Sequence, residues 1–156
     1  MDKEIRQQYH KITKTLIEKG ITIATMESCT GGLIASLLTD TEGASGIFFG
    51  GMVTYSNEAK VKAGVPAEVI EEYGVYSEET AAAMAKACRS YYGTQIGVGV
   101  TGSLGNADPA NGDSVPGEVY LAVLGERLLT KKIVLEPAES RFFYKMQVAE
   151  EVGKMI

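Results

Sequence analysis

Apolar residues recur at helical spacing at Ile5, Tyr9, Ile12 and Leu16 inside a charged N-terminal stretch, and Gly20 stands where such a helix should stop. Residues 3–19 are therefore expected to form an amphipathic helix. The period then changes. Residues 21–26 are short, apolar and β-branched, which predicts a strand, and Ser28 and Thr30 offer capping hydroxyls ahead of a helix over about 31–38. A second strand is expected over 47–55 in spite of Gly50 and Gly51, whose missing side chains imply close approach by another backbone or by a ligand. Ser56 should cap a short helix through Lys62, Pro66 should open another to Tyr73, and Ser77 should cap a longer alanine-rich helix ending near Tyr92 and Gly93. Residues 95–101 read as a third strand. Residues 102–116 hold three Gly, two Pro, two Asn and two Asp and form a loop, of a length that points to function or mobility. Strands over 118–124 and 128–135 are joined at Gly125, Glu126 and Arg127 as a hairpin, and a last helix over 139–155 sets Phe142, Met146, Ala149 and Val152 on one face.

Helices alternating with strands, closed by an antiparallel hairpin, predict an α/β fold. The expectation is a single layered domain over residues 1–156 with a mixed central sheet flanked by helices, without internal repeat or linker. Ligands on such sheets sit at the carboxyl ends of strands, which is where Ser28, Tyr55 and Thr101 all fall.

Composition narrows the chemistry. The chain has 156 residues, 45% hydrophobic and 22% charged, enough for a core that needs neither disulfides nor metal. Its 18 glycines follow no three-residue period, which excludes collagen. Fifteen Lys and Arg against twenty Asp and Glu give a formal charge of −5, the wrong sign for a protein whose main partner is nucleic acid. Two cysteines, Cys29 and Cys88, and one histidine, His10, leave no zinc site of four cysteines or of two cysteines and two histidines. The charged N-terminus has no apolar leader region, and the most apolar stretch, 46–53, is far short of a membrane span. A reducing, cytoplasmic setting with no membrane partner is the expectation.

Residues 97–102 match G-x-G-x-x-G, yet a dinucleotide fingerprint needs its glycines after a strand and at the start of a helix. Here they lie within the predicted strand, so close packing by a neighbour is the expected role. His10 lies off the apolar stripe of the first helix and reads as a solvated surface residue, which argues against a Ser-His-Asp triad. The segment Glu27-Ser28-Cys29-Thr30-Gly31-Gly32 leaves a strand and enters a helix N-terminus. Two readings stand for it: Ser28 and Thr30 merely cap the helix, or the turn holds an oxyanion or phosphate, with Gly31 and Gly32 admitting a ligand to the backbone. Cys29 is a rival nucleophile in the second reading and a small buried residue in the first. In Tyr55-Ser56-Asn57-Glu58-Ala59-Lys60, Tyr55 ends a strand and Lys60 follows in the first turns of a helix. Lys60 is an ordinary surface lysine unless burial or positive neighbours pull its pKa toward neutrality.

Taken together, Glu27-Ser28-Cys29-Thr30-Gly31-Gly32-Leu33, Tyr55-Ser56-Asn57-Glu58-Ala59-Lys60, Gly74 with Ser77-Glu78-Glu79-Thr80-Ala81, and Gly99-Val100-Thr101-Gly102 resemble the CinA C-terminal-domain family, the nicotinamide mononucleotide deamidases. The resemblance covers nearly the whole chain in the right order. Some members carry a further N-terminal domain resembling molybdopterin-binding proteins, which a chain of this length is expected to lack. The resemblance implies hydrolysis of the carboxamide of nicotinamide mononucleotide to nicotinic acid mononucleotide and ammonia, a step of pyridine nucleotide salvage, with no metal or organic cofactor. It implies Ser28 as nucleophile, Lys60 as base and Tyr55 as the group that orients or relays the proton. Substrate and oxyanion contacts would come from Thr30, Gly31, Gly32, Thr101 and Gly102, and the candidates for the phosphate are the helix N-terminus after Ser28, the loop after Thr101, and Arg141 with Lys145, which are one turn apart on the last helix. It further implies a homo-oligomer, dimer or higher.

Two departures from the family pattern touch substrate binding. The family commonly continues Ile-Ala-Gly-Pro and a glycine run after Thr101-Gly102, where this chain reads Ser103-Leu104-Gly105-Asn106-Ala107-Asp108-Pro109, and Lys145 stands where a second arginine is expected. The altered loop leaves open a second function, a catalytically weak member that binds a nucleotide or a partner and acts in regulation or competence-linked metabolism.

Overall fold

The computed structural model describes residues 2–156. In chain order the elements are α1 (Asp2–Lys19), β1 (Ile23–Glu27), α2 (Leu33–Leu38), β2 (Phe48–Val53), α3 (Asn57–Lys62), α4 (Ala67–Tyr73), α5 (Glu78–Tyr92), β3 (Ile96–Gly102), β4 (Glu118–Leu124), β5 (Leu128–Val134) and α6 (Arg141–Met155), with a 3₁₀ turn at Ala44–Gly46 before β2. The strands form one five-stranded sheet in the order β2-β1-β3-β4-β5. β2, β1 and β3 run parallel, while β4 and β5 add antiparallel to the β3 side, so the sheet is mixed as the terminal hairpin predicts.

Alternation along the strands assigns residues to two faces. From β1, Ile23 joins Val98 and Val100 of β3 in a core with Ile5, Tyr9 and Leu16 of α1, Ile34 of α2 and Met146, Ala149 and Val152 of α6. Ala24 and Met26 point the other way, to Met84 and Cys88 of α5. The glycines of β3 meet α5 at the closest range: a Cβ on Gly97 would fall on the Ala85 carbonyl, and one on Gly99 on the Ala81 carbonyl. The G-x-G-x-x-G stretch is thus a packing device. The close approach expected at Gly50 and Gly51 comes from side chains instead, the Tyr92 ring over the first and the Thr25 hydroxyl over the second.

Two serine caps fall where the sequence puts them: Ser56 Oγ accepts the Ala59 N–H at 3.0 Å and Ser77 Oγ accepts the Thr80 N–H at 3.1 Å. Several boundaries differ. β1 starts at Ile23, β2 stops at Val53 and α6 starts at Arg141, capped by Ser140. α2 begins only at Leu33, because Gly31 (φ 60°) and Gly32 (φ 100°) are left-handed and make residues 28–32 a turn. Neither Ser28 nor Thr30 caps that helix. The cap is the buried Glu27 carboxylate, whose Oε1 accepts the Ile34 N–H and whose Oε2 accepts the Ala35 N–H, both at 2.9 Å. Phe142 leaves the buried face of α6: it is 41% exposed and meets Phe143 edge-on, since the first turn of the helix projects past the core that its later turns cover.

Gly99→Ala is expected to destabilise the protein by about 3 kcal/mol in urea unfolding, because the new methyl meets fixed helix backbone. Gly46→Ala, where a Cβ meets nothing within 4 Å, is the control and should change stability by under about 0.5 kcal/mol.

Candidate active site

The three parallel strands end on one edge of the sheet, and each end contributes. Ser28 follows the last residue of β1 and its N–H donates to the Val100 carbonyl of β3 at 3.0 Å, so the serine is anchored to the sheet before the chain turns. The turn is held from below by Glu27, 1% exposed, which also accepts the Thr30 hydroxyl at 2.6 Å. Burial raises the Glu27 pKa, and the donors from Thr30, Ala35 and Ile34 work against that rise.

Lys60 comes from the second strand end. α3 starts after the Ser56 cap, and its fourth residue turns inward: the Lys60 side chain is fully buried, with Nζ 2.9 Å from the Thr54 carbonyl and 3.3 Å from Ser28 Oγ. Removal from water draws its pKa down from 10.5 to about 8, against the opposing field of Asp108. A lysine in this state is partly neutral near physiological pH and can accept the proton of a serine hydroxyl that it touches. Cys29 is no rival nucleophile. Burial pushes its thiol up to about 12, so it stays protonated, as a small buried residue should. His10, bonded through Nδ1 to Thr41 Oγ1 at 3.0 Å, lies in the exposed face of α1, as expected.

Two adjoining cavities meet at Ser28. One, of about 300 Å³, runs between the β3 end and α6, with Cys29, Gly102, Ser103 and Arg141 in its wall. The other, of about 350 Å³, lies over α3, with Asn57, Lys60 and Asn111 in its wall. Ser28, Tyr55, Tyr76 and Asp108 line both.

The remaining predicted residues divide. Tyr55 is 63% exposed at the cleft mouth, where its hydroxyl accepts from Arg141 Nη2 at 3.2 Å; it stands outside the Ser28–Lys60 hydrogen bond. Arg141, whose Nη1 donates to Asn106 Oδ1 at 3.2 Å, lines the cavity with Ser28 and Cys29, and Lys145 Nζ lies 3.3 Å from the point a Cβ on Gly31 would occupy, so these two cations of α6 flank the serine turn. The threonines serve the scaffold with their hydroxyls: Thr30 donates to Glu27, and Thr101, fully buried, donates to the Val75 carbonyl at 3.0 Å. Gly102 lines the cleft.

Sequence reasoning missed Tyr76, Asp108, Asn57 and Asn111. The Tyr76 hydroxyl donates to Asp108 Oδ2 at 2.5 Å, and Asn57 and Asn111 exchange amide hydrogen bonds at 2.9 and 3.3 Å, which ties the 103–117 loop to α3. For Asp108 and Asn111 the signal was the length of that loop and for Asn57 its place in the Tyr55–Lys60 segment, while nothing in the sequence marked Tyr76. No helix among the described residues is long and apolar enough to cross a membrane, and no three His, Cys, Asp or Glu side chains gather there as a metal site requires.

Known proteins resemble this chain in sequence and in fold. The sequence model of the CinA C-terminal domain matches residues 5–155. Over 109 residues, 69% of this chain and 26% of the relative, the sequence is 50% identical to a Moorella thermoacetica protein named for competence-damage induction. Over 113 residues, 72% of this chain and 27% of the relative, it is 45% identical to a CinA-like protein of Geobacter sulfurreducens. The matched part is thus about a quarter of the length of those relatives. The crystal structure of a competence/damage inducible protein from Agrobacterium tumefaciens superposes with a TM-score of 0.87 at 28% identity, covering 97% of this chain and 92% of that one. A match over nearly the whole described chain, with the same fold in a solved relative, means that this chain belongs to the CinA C-terminal domain family.

Proposed function

We propose that the cleft hydrolyses the carboxamide of nicotinamide mononucleotide, releasing ammonia and nicotinic acid mononucleotide. The observation that carries this reading is the contact of Lys60 Nζ with Ser28 Oγ at 3.3 Å, made by a lysine whose burial brings its pKa to about 8. Neutral Lys60 takes the Ser28 proton as Oγ bonds to the carboxamide carbon. The backbone N–H groups of Cys29 and Thr30, which neither strand pairing nor helix consumes, are the donors nearest to hand for the oxyanion. Collapse breaks the C–N bond, and the Lys60 ammonium protonates the leaving nitrogen, giving ammonia and an acyl-serine. Water then attacks the acyl carbon, with Lys60 again receiving the proton and returning it to Ser28 Oγ as the acid leaves.

Arg141 and Lys145 supply positive charge beside the serine turn, where the substrate's phosphate would lie. Tyr55, held by Arg141, closes the mouth over it. Its place on Arg141 favours orienting the substrate over relaying a proton.

Ammonia release from nicotinamide mononucleotide tests the reading, with Ser28→Ala and Lys60→Ala each expected to lower kcat by about 10³-fold or more. Wild-type release no greater than in these variants would leave the cleft as a binding site in a regulatory member of the family. Because protonated Lys60 cannot act as base, kcat/KM should rise with pH along an acidic limb with its midpoint near 8, falling about tenfold per pH unit below it. Arg141→Ala should raise KM for the mononucleotide by about tenfold and leave that for the unphosphorylated riboside nearly unchanged. Equal effects on both substrates would remove Arg141 from the phosphate site.

A further inference from the structure

The loop over 103–117 brings a fixed negative charge to the heart of a cleft whose other carboxylate, Glu58 of α3, is solvent-exposed. Asp108 is half-buried, and its carboxylate is fully engaged: Oδ2 accepts from the Tyr76 hydroxyl and from Asn111 Nδ2 at 2.8 Å, and Oδ1 from the Ala110 N–H at 2.9 Å. The Tyr76 bond foremost, then those from Asn111 and Ala110, hold the carboxyl below the usual range, so it is ionised at neutral pH. Its position is also fixed from outside the loop. Asn111 is clamped to Asn57, three residues before Lys60 on α3, and Asp108 lines both cavities that meet at Ser28. Arg141 and Lys145 approach the same serine turn from α6. The charge near Ser28 is therefore divided between the α6 cations on one side and, on the other, the anchored Asp108 carboxylate with exposed Glu58 farther along the α3 cavity.

A ligand that satisfies both carries an anionic group and a cationic one. Nicotinamide mononucleotide does: its phosphate is anionic and its pyridinium ring, which bears the reacting carboxamide, is a fixed cation. The 1,4-dihydro form keeps the same carboxamide and phosphate on an uncharged ring. We propose that Asp108 is a specificity-determining residue, whose carboxylate on the 103–117 loop makes the cleft select a mononucleotide with a cationic ring over its uncharged dihydro counterpart. The inference rests on the amidase reading of the site. It adds a charge filter that the Ser28 and Lys60 chemistry does not require. Proximity of unlike charges in a partly shielded cleft favours the oxidised ring in binding, and the uncharged ring gains nothing from it.

The experiment measures the dissociation constants of nicotinamide mononucleotide and its 1,4-dihydro form by calorimetry on the Ser28→Ala protein, which binds without turnover. The oxidised form should bind more tightly. Adding Asp108→Asn should cut that preference by about fivefold, mainly by weakening the oxidised form, and Asp108→Glu should restore most of it. A preference that is unchanged by Asp108→Asn overturns the inference. So does an Asp108→Glu protein that discriminates no better than Asp108→Asn, since the loop's shape and not its charge would then set the selectivity. If neither form binds and the wild-type protein releases no ammonia, the amidase reading itself fails, an outcome separate from the other two.

Discussion

The carboxylate of Glu27 is the constraint on which the site depends. α2 has only six residues and is entered through two left-handed glycines, so it cannot organise its own N-terminus, and no hydroxyl in the turn reaches its free N–H groups. Glu27 supplies the missing acceptors from the last position of β1, binding two backbone N–H groups of α2 and the Thr30 hydroxyl. A buried carboxylate without such donors would be costly. With them it locks strand to helix, and Ser28, the next residue, inherits that rigidity on one side and the Val100 carbonyl on the other.

The opposite charge, on Lys60, is placed by a different logic. Its ammonium is held by one backbone carbonyl and one hydroxyl and by no direct carboxylate partner, and desolvation therefore prevails over attraction. An ion pair would have kept the lysine charged and useless as a base. Asp108 acts on Lys60 only as a distant field, its own oxygens being taken by Tyr76, Asn111 and Ala110. Sheet topology makes the meeting possible. From β1, the middle one of the three parallel strands, the chain passes to β2 on one side and reaches β3 on the other, so the ends of three parallel strands open onto one crevice.

Much of the scaffold is local enough to read from the chain. Ser56 and Ser77 cap helices because the acceptor lies three residues before its donor, a spacing visible in sequence. Gly97 and Gly99 are legible as close-packed strand residues because the helix required after a dinucleotide fingerprint is absent. The start of α2 is misplaced by the same reasoning. Hydroxyls at Ser28 and Thr30 look like caps, while the true cap sits seven and eight residues ahead of the amides it binds, on a strand. Thr101 falls at a strand end as expected, but its hydroxyl turns into the fold and meets Val75, a contact that spacing along the chain does not encode.

The sequence by itself determined the α/β alternation, the mixed sheet, the strand-end position of Ser28 and the absence of a histidine suited to activate it, since all of these follow from periodicity, composition and short-range spacing. Only the tertiary structure decided that Lys60 is buried against Ser28, that Cys29 is inert, that Tyr55 belongs to Arg141, and that Asp108 stands in the cleft wall. The reason is physical: a side chain's pKa and partners depend on what surrounds it, and the groups that surround these residues lie 32 positions away along the chain for Lys60 and Ser28, and 86 for Tyr55 and Arg141.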